Sequence, residues 1–170
     1  MPINLLKKYN ALLELAALNE AQRTKSLRGV FDRDFTNNPG LAFRGKKIKP
    51  TPAEGQDYME RLFTHLTTVI AIIDKANRHR EFDIKRSQRL HWIRYHMEEH
   101  KQDNMLIFST EEPEGIRTYI YDEDERYVIV LEPQMKTGDY FLLSAYYVEG
   151  KDIKRDKIRK KWNRRLPVLY

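Results

Sequence analysis

The chain has 170 residues, no cysteine, a net charge of +6 and a mean hydropathy of −0.73. That length suits one domain with a sizeable core, and the missing thiols exclude disulfides and thiolate metal sites. With 41% apolar and 33% charged residues, and no segment near the ~18 continuous apolar residues that span a bilayer, the expectation is a folded cytoplasmic protein with no membrane contact.

In chain order, Leu5, Leu6, Tyr9, Leu12, Leu13 and Ala16 recur at three-and-four spacing and predict an amphipathic N-terminal helix in place of a secretory leader. A polar passage follows, DRDFTNNPGLAFRGKKIKPTPAEG, read as loop, with Pro39-Gly40 as a turn. Thr51-Pro52-Ala53-Glu54 carries the signature of a helix start, and the helix is expected to run through Tyr58, Leu62, Leu66, Val69, Ile70 and Ile73. A basic break spans Asn77 to Arg80. Asp83 is then placed to cap a helix that holds RLHWIRYHMEEH.

On that helix Leu90, Ile93 and Met97 define the buried stripe. His91, Arg94 and Glu98 lie along one edge, and His96 and His100 along the other. The last five letters, HMEEH, match an H-x-x-E-H zinc pattern, in which His96 and His100 could share a metal and Glu99 could assist a water. A catalytic zinc needs a third protein ligand, and no later segment supplies an obvious one, so no metal or other cofactor is expected.

The second half changes period. MLIFS, IRTYIYD, RYVIVLE and DYFLLSAYYV are short, rich in Ile, Val, Tyr and Phe, and separated by turn residues. Connectors this short predict an antiparallel meander. The expected fold is α+β: N-terminal helices, a four-stranded antiparallel sheet packed by helices on one face, and a basic C-terminal helix. Residues 1–80 are read as a helical region and 81–170 as an α+β core. On the last strand, alternation puts Phe141, Leu143, Ala145 and Tyr147 toward the helices, and Tyr140, Leu142, Ser144, Tyr146 and Val148 on the other side. Arg117, Tyr119 and Tyr121 share one face of their strand. An exposed face offering Arg, Ser and Tyr suits a phosphate and an unpaired base. From Lys151 to Arg165 nine Lys/Arg meet two Asp, a local +7 that reads as a polyanion footprint or as a solvated helix.

RLHWIR on the helix and LLSAYY on the final strand, followed by a basic tail, resemble the Barnase–EndoU–colicin–RelE superfamily of small RNases, closest to its phage-associated, toxin-like branch. The likeness covers roughly residues 83–165, and Ser144 stands where threonine is common. It implies metal-free RNA cleavage in which the ribose 2′-hydroxyl attacks the adjacent phosphorus on an exposed sheet face. Carried over, His91 is the acid–base group, Arg94 and Arg117 hold the scissile phosphate, Ser144 hydrogen-bonds it, and Tyr146 stacks a base or assists proton transfer. Tyr119, Lys154, Lys157, Lys160 and Lys161 would contact flanking RNA. A small acidic antitoxin or immunity protein is an expected partner. The competing readings are a non-catalytic RNA- or ribosome-binding protein, a phage interaction protein on the same fold, and the metallopeptidase.

Overall fold

A computed structural model describes residues 3–72, 78–150 and 152–170, and their side chains apart from 72 and 152–156. After a 3-10 turn at Ile3–Leu6 come α1 (Glu20–Phe31), a π-helical turn (Asp32–Thr36), β1 (Ala42–Phe43), β2 (Lys46–Pro50) and α2 (Tyr58–Thr67). Then follow β3 (Thr68–Ile72), β4 (Arg78–Phe82), α3 (Ile84–Ser87) and α4 (Trp92–Met97). The chain closes with β5 (Met105–Glu112), β6 (Gly115–Asp122), β7 (Tyr127–Gln134), β8 (Asp139–Tyr147) and α5 (Asp152–Asn163).

The four expected strands pair antiparallel as a meander, but the sheet they belong to has six strands, in the order β1-β2-β8-β7-β6-β5. The four-stranded expectation is therefore corrected. The passage read as loop supplies two more strands: β2 runs parallel to β8, pairing Ile48 with Tyr140, and β1 pairs with β2. A positive φ at Arg44 and Gly45 makes the tight turn between them. Their signal was hidden because KKIKP carries a single apolar side chain, and a strand so short takes its stability from its neighbour.

The helix expected through Ile73 ends earlier. Asp57, not Thr51, caps α2, its side chain accepting from the Glu60 amide at 2.9 Å. Beyond Thr67 the β-branched run Thr68-Val69-Ile70 becomes β3, which pairs antiparallel with β4 in a separate two-stranded sheet. Ile73 and Asn77 lie outside the described residues. Residues 1–80 are thus not helical throughout; they contain strands of both sheets, and α2, α3 and α4 come between β2 and β5 of the main sheet instead of before it.

The amphipathic N-terminal helix is also corrected. From Leu12 to Ala16 burial alternates with period two: Leu13 and Leu15 are inside, Leu12, Glu14 and Ala16 outside. Asn4 explains the extended path. Its side chain accepts from the Glu14 amide at 2.7 Å and donates to the Glu14 carbonyl at 3.1 Å, as a paired strand would.

A single apolar core lies between one face of the main sheet and the helices, and it draws Leu13, Phe31, Leu66, Trp92, Ile129 and Leu142 from across the chain. Leu90, Ile93 and Met97 are buried in it, as their spacing requires. Asp83 does cap α3, accepting from the Arg86 amide at 2.8 Å. The opposite sheet face carries Leu106, Phe108, Tyr119, Tyr121, Val128 and Tyr146, and α5 roofs it with Ile158 and Trp162. The face expected to be bare is covered.

Candidate anion-binding site

The expected catalytic set is divided by the sheet. His91 sits in the helical layer, 5% exposed, with Nε2 3.1 Å from the Lys8 carbonyl. A carbonyl only accepts, so that nitrogen carries the hydrogen. Burial lowers the pKa of His91 against the pull of the Lys8 and Ala11 carbonyls. Arg94 shares its cleft but is bound to Glu98 at 2.6 Å and lies 3.6 Å from Asp34.

Arg117, Tyr119, Ser144 and Tyr146 are on the other face. Register places Tyr119 and Ser144 across from each other on either side of Val130. Arg117 is held by Glu132 at 2.8 Å. Tyr119 donates to Glu112 at 3.0 Å beneath the Lys161 ammonium. Ser144 and Tyr146 join that face, away from Ala145 and Tyr147, and Tyr140 and Leu142 point into the core. A bulge is the reason: Val130 pairs with Ser144 and Leu131 with Leu142, so Leu143 is an extra residue and the alternation inverts there. Lys160 is exposed, Lys157 is exposed beside Tyr146, Lys161 is bound to Glu112, and the Lys154 side chain lies outside the described residues. The imidazole of His91 and the guanidinium of Arg94 therefore do not meet the groups of Arg117, Ser144 and Tyr146.

The metal reading is also divided. His96 is buried against Asp122 at 3.2 Å, and His100 turns to Glu98 at 2.8 Å. Among the described residues no three His, Asp or Glu side chains are grouped to hold a metal ion.

What the structure does gather is a cationic cluster that sequence patterning did not single out. α2 buries Leu62, Phe63 and Leu66, which leaves Arg61 and His65, four apart, together on its flank. Where α2 gives way to β3, two guanidinium groups converge on one carbonyl. Arg80 donates through Nη2 to the Thr68 carbonyl at 2.9 Å and through Nε to Thr68 Oγ1 at 2.7 Å. Arg86 donates through Nη1 to the same carbonyl at 3.2 Å and to the His65 carbonyl at 2.8 Å. Its Nε is buried with no partner among the described residues.

Such crowding leaves a mark on each group. Burial and then the charges of Arg86 and Arg61 lower the pKa of Arg80, and burial lowers that of Arg86 against the opposing charge of Asp83. His65 falls from 6.5 to about 4, through burial and then the positive charges of Arg80, Arg61 and Arg86. It is a neutral imidazole at pH 7. Arg86 opens into a cleft of about 350 Å³ lined also by the carboxylates of Asp83 and Glu149, by Tyr146, Tyr147 and Val148 at the end of β8, and by Lys157 and Ile158 of α5. The Arg86 guanidinium carbon is 5.8 Å from the Tyr146 ring, and burial pushes the Tyr146 phenol upward. Lys85 at the rim pairs with Glu149.

Guanidinium groups on a shared carbonyl repel one another, and an oxyanion between them would relieve that repulsion while accepting their remaining hydrogens. Of the expected residues, Tyr146, Lys157 and Lys161 line this cleft. His65, Arg61, Arg80 and Arg86 were missed because a continuous helix through Ile73 would have carried Arg61 and His65 away from Arg80. The turn at Thr68 brings them back.

The chain matches no family model, no curated protein and no solved structure. Among the described residues no helix is long and apolar enough to cross a membrane.

Proposed function

We propose that this protein binds RNA in the cytoplasm, gripping phosphate in the Arg86 cleft. The observation that carries the reading is the pair of guanidinium groups on the Thr68 carbonyl, with Arg61 and Lys157 nearby. The basic outer surface of α5 extends the positive field, and Tyr146 and Tyr147 place rings beside it. Fluorescence anisotropy with a labelled single-stranded RNA checks this. Arg86→Gln should weaken binding at least tenfold at moderate salt, and undiminished affinity would refute the site. A small acidic protein is the partner expected to compete for these same cations.

A second reading, metal-free cleavage of the bound RNA, is favoured by His65 specifically. A neutral imidazole can accept the 2′-hydroxyl proton as that oxygen attacks phosphorus. A docked phosphate would offset the arginine charges and bring the imidazole closer to its ordinary basicity. The arginines would stabilise the charge on the phosphoryl oxygens, and the Tyr146 phenol is the donor for the departing 5′-oxygen. Incubation with RNA in EDTA should yield cyclic-phosphate ends, with His65→Ala about 100-fold slower or worse. RNA that stays intact with equimolar protein removes this reading and leaves the binding reading standing.

A further inference from the structure

We infer that the Arg61–Arg80–Arg86 cluster is a subsite for a terminal phosphate monoester of RNA, in preference to the internal diester; this rests on the RNA-binding reading above. The argument is one of charge and of open donors. Among the described residues Asp83 is the carboxylate beside Arg86, and it is already engaged in capping α3. Neighbouring acids are paired elsewhere: Glu60 with Arg28, Glu81 with His79, and Glu149 with Lys85.

Among the described residues the guanidinium groups of the cluster have no ion-pair partner, in a half-buried place where unpaired charge is costly. An internal phosphodiester brings one negative charge. A terminal monoester brings −1.5 to −2 at pH 7 and three strong acceptor oxygens. The donors match that count better as well. Arg80 uses Nε and Nη2 on Thr68, and Arg86 uses Nη1 on the Thr68 and His65 carbonyls, so Nη1 of Arg80 and Nη2 of Arg86 are not used there. Held by the same carbonyl, the two forks can close on one phosphoryl group from two sides, which a chain continuing through both ester oxygens would hinder. The adjoining cleft, walled by Tyr146 and Tyr147, gives the terminal nucleoside somewhere to lie.

The test compares one single-stranded RNA oligonucleotide of fixed sequence in three forms, carrying a 5′-phosphate, a 3′-phosphate, or hydroxyls at both ends. Binding is measured by competition anisotropy at pH 7.5. At least one phosphorylated form should bind about tenfold more tightly than the hydroxyl form, and the arm that does so identifies the end recognised. Arg80→Gln should erase most of that preference. Because Arg80 also ties the hairpin to Thr68, Arg61→Gln serves as a second variant and should reduce the preference severalfold. Equal affinity of the three forms would overturn the inference while leaving the RNA-binding reading intact. Failure of all three to bind would overturn both.

Discussion

Asp122 is fully buried, yet it remains an anion because an imidazole, an ammonium and a phenol reach it. His96 Nε2 is at 3.2 Å, Lys101 Nζ at 3.1 Å, and the Tyr9 phenol donates to Oδ2. Burial alone would raise its pKa, but the bonds from His96, Tyr9 and Lys101 outweigh that and carry it from 3.8 down to about 2. A depressed carboxylate contributes stability above its unfolded pKa and loses it as pH falls through the folded one. This residue should therefore supply about 2 kcal/mol at neutral pH, declining between about pH 4 and pH 2. Asp122→Asn should cost about 3 kcal/mol in a urea melt at pH 7, since it strands the Lys101 ammonium against a buried amide. It should also flatten the acid limb of the stability curve in that window. A variant as stable as the parent at pH 7 would contradict this role. None of this network was legible in the sequence, where Asp122 read as the end of a strand and His96 as half of a metal pair. Tyr9 and Asp122 lie 113 positions apart along the chain, and no local pattern reports such a meeting.

Among the elements, the four C-terminal strands were legible because β-branched and aromatic residues alternate between clear turns. The side-chain faces of β8 were not, because one extra residue at Leu143 inverts them and a bulge leaves no compositional trace when both neighbours are apolar. The burial of the outer sheet face follows from α5, whose basic composition suggested a solvated or RNA-bound helix. Its docking uses few apolar side chains, Ile158 and Trp162 among them, and Trp162 meets Phe108 edge-on at 5.4 Å. Ion pairs do much of the rest. Glu112, with its side chain 8% exposed, receives Lys161 and Arg164, and these together with Thr110 and Tyr119 overcome burial to bring its pKa to about 2. Glu112→Gln should loosen this helix first. Amide exchange in α5 and along β5 is expected to quicken at least tenfold while β7, at the centre of the sheet, stays protected. Uniform exchange throughout the molecule would show that α5 is not a separately held element.

At the scale of the molecule, the first eighty residues are not an appendage to a nuclease-like half. β2 extends the sheet beside β8, and Leu13, Phe31 and Leu66 share a core with Trp92 and Ile129. The charge map follows from that interlocking. α2 and the β3–β4 hairpin bring Arg61, His65 and Arg80 to Arg86, and β8 and α5 close the cleft with Tyr146 and Lys157. The site is thus assembled from both halves, which is why residue patterning within either half could not place it. The surplus of Lys and Arg and the pull toward a polyanion were legible; the place where that charge concentrates was not. The most direct measurement is the salt dependence of RNA affinity for the parent protein and for an Arg80→Gln, Arg86→Gln double variant. The parent should bind tightly at low salt with a steep log–log slope, and the double variant should lose affinity and one to two units of that slope. Identical slopes and affinities in the two proteins, or no RNA binding even at low salt, would contradict the account.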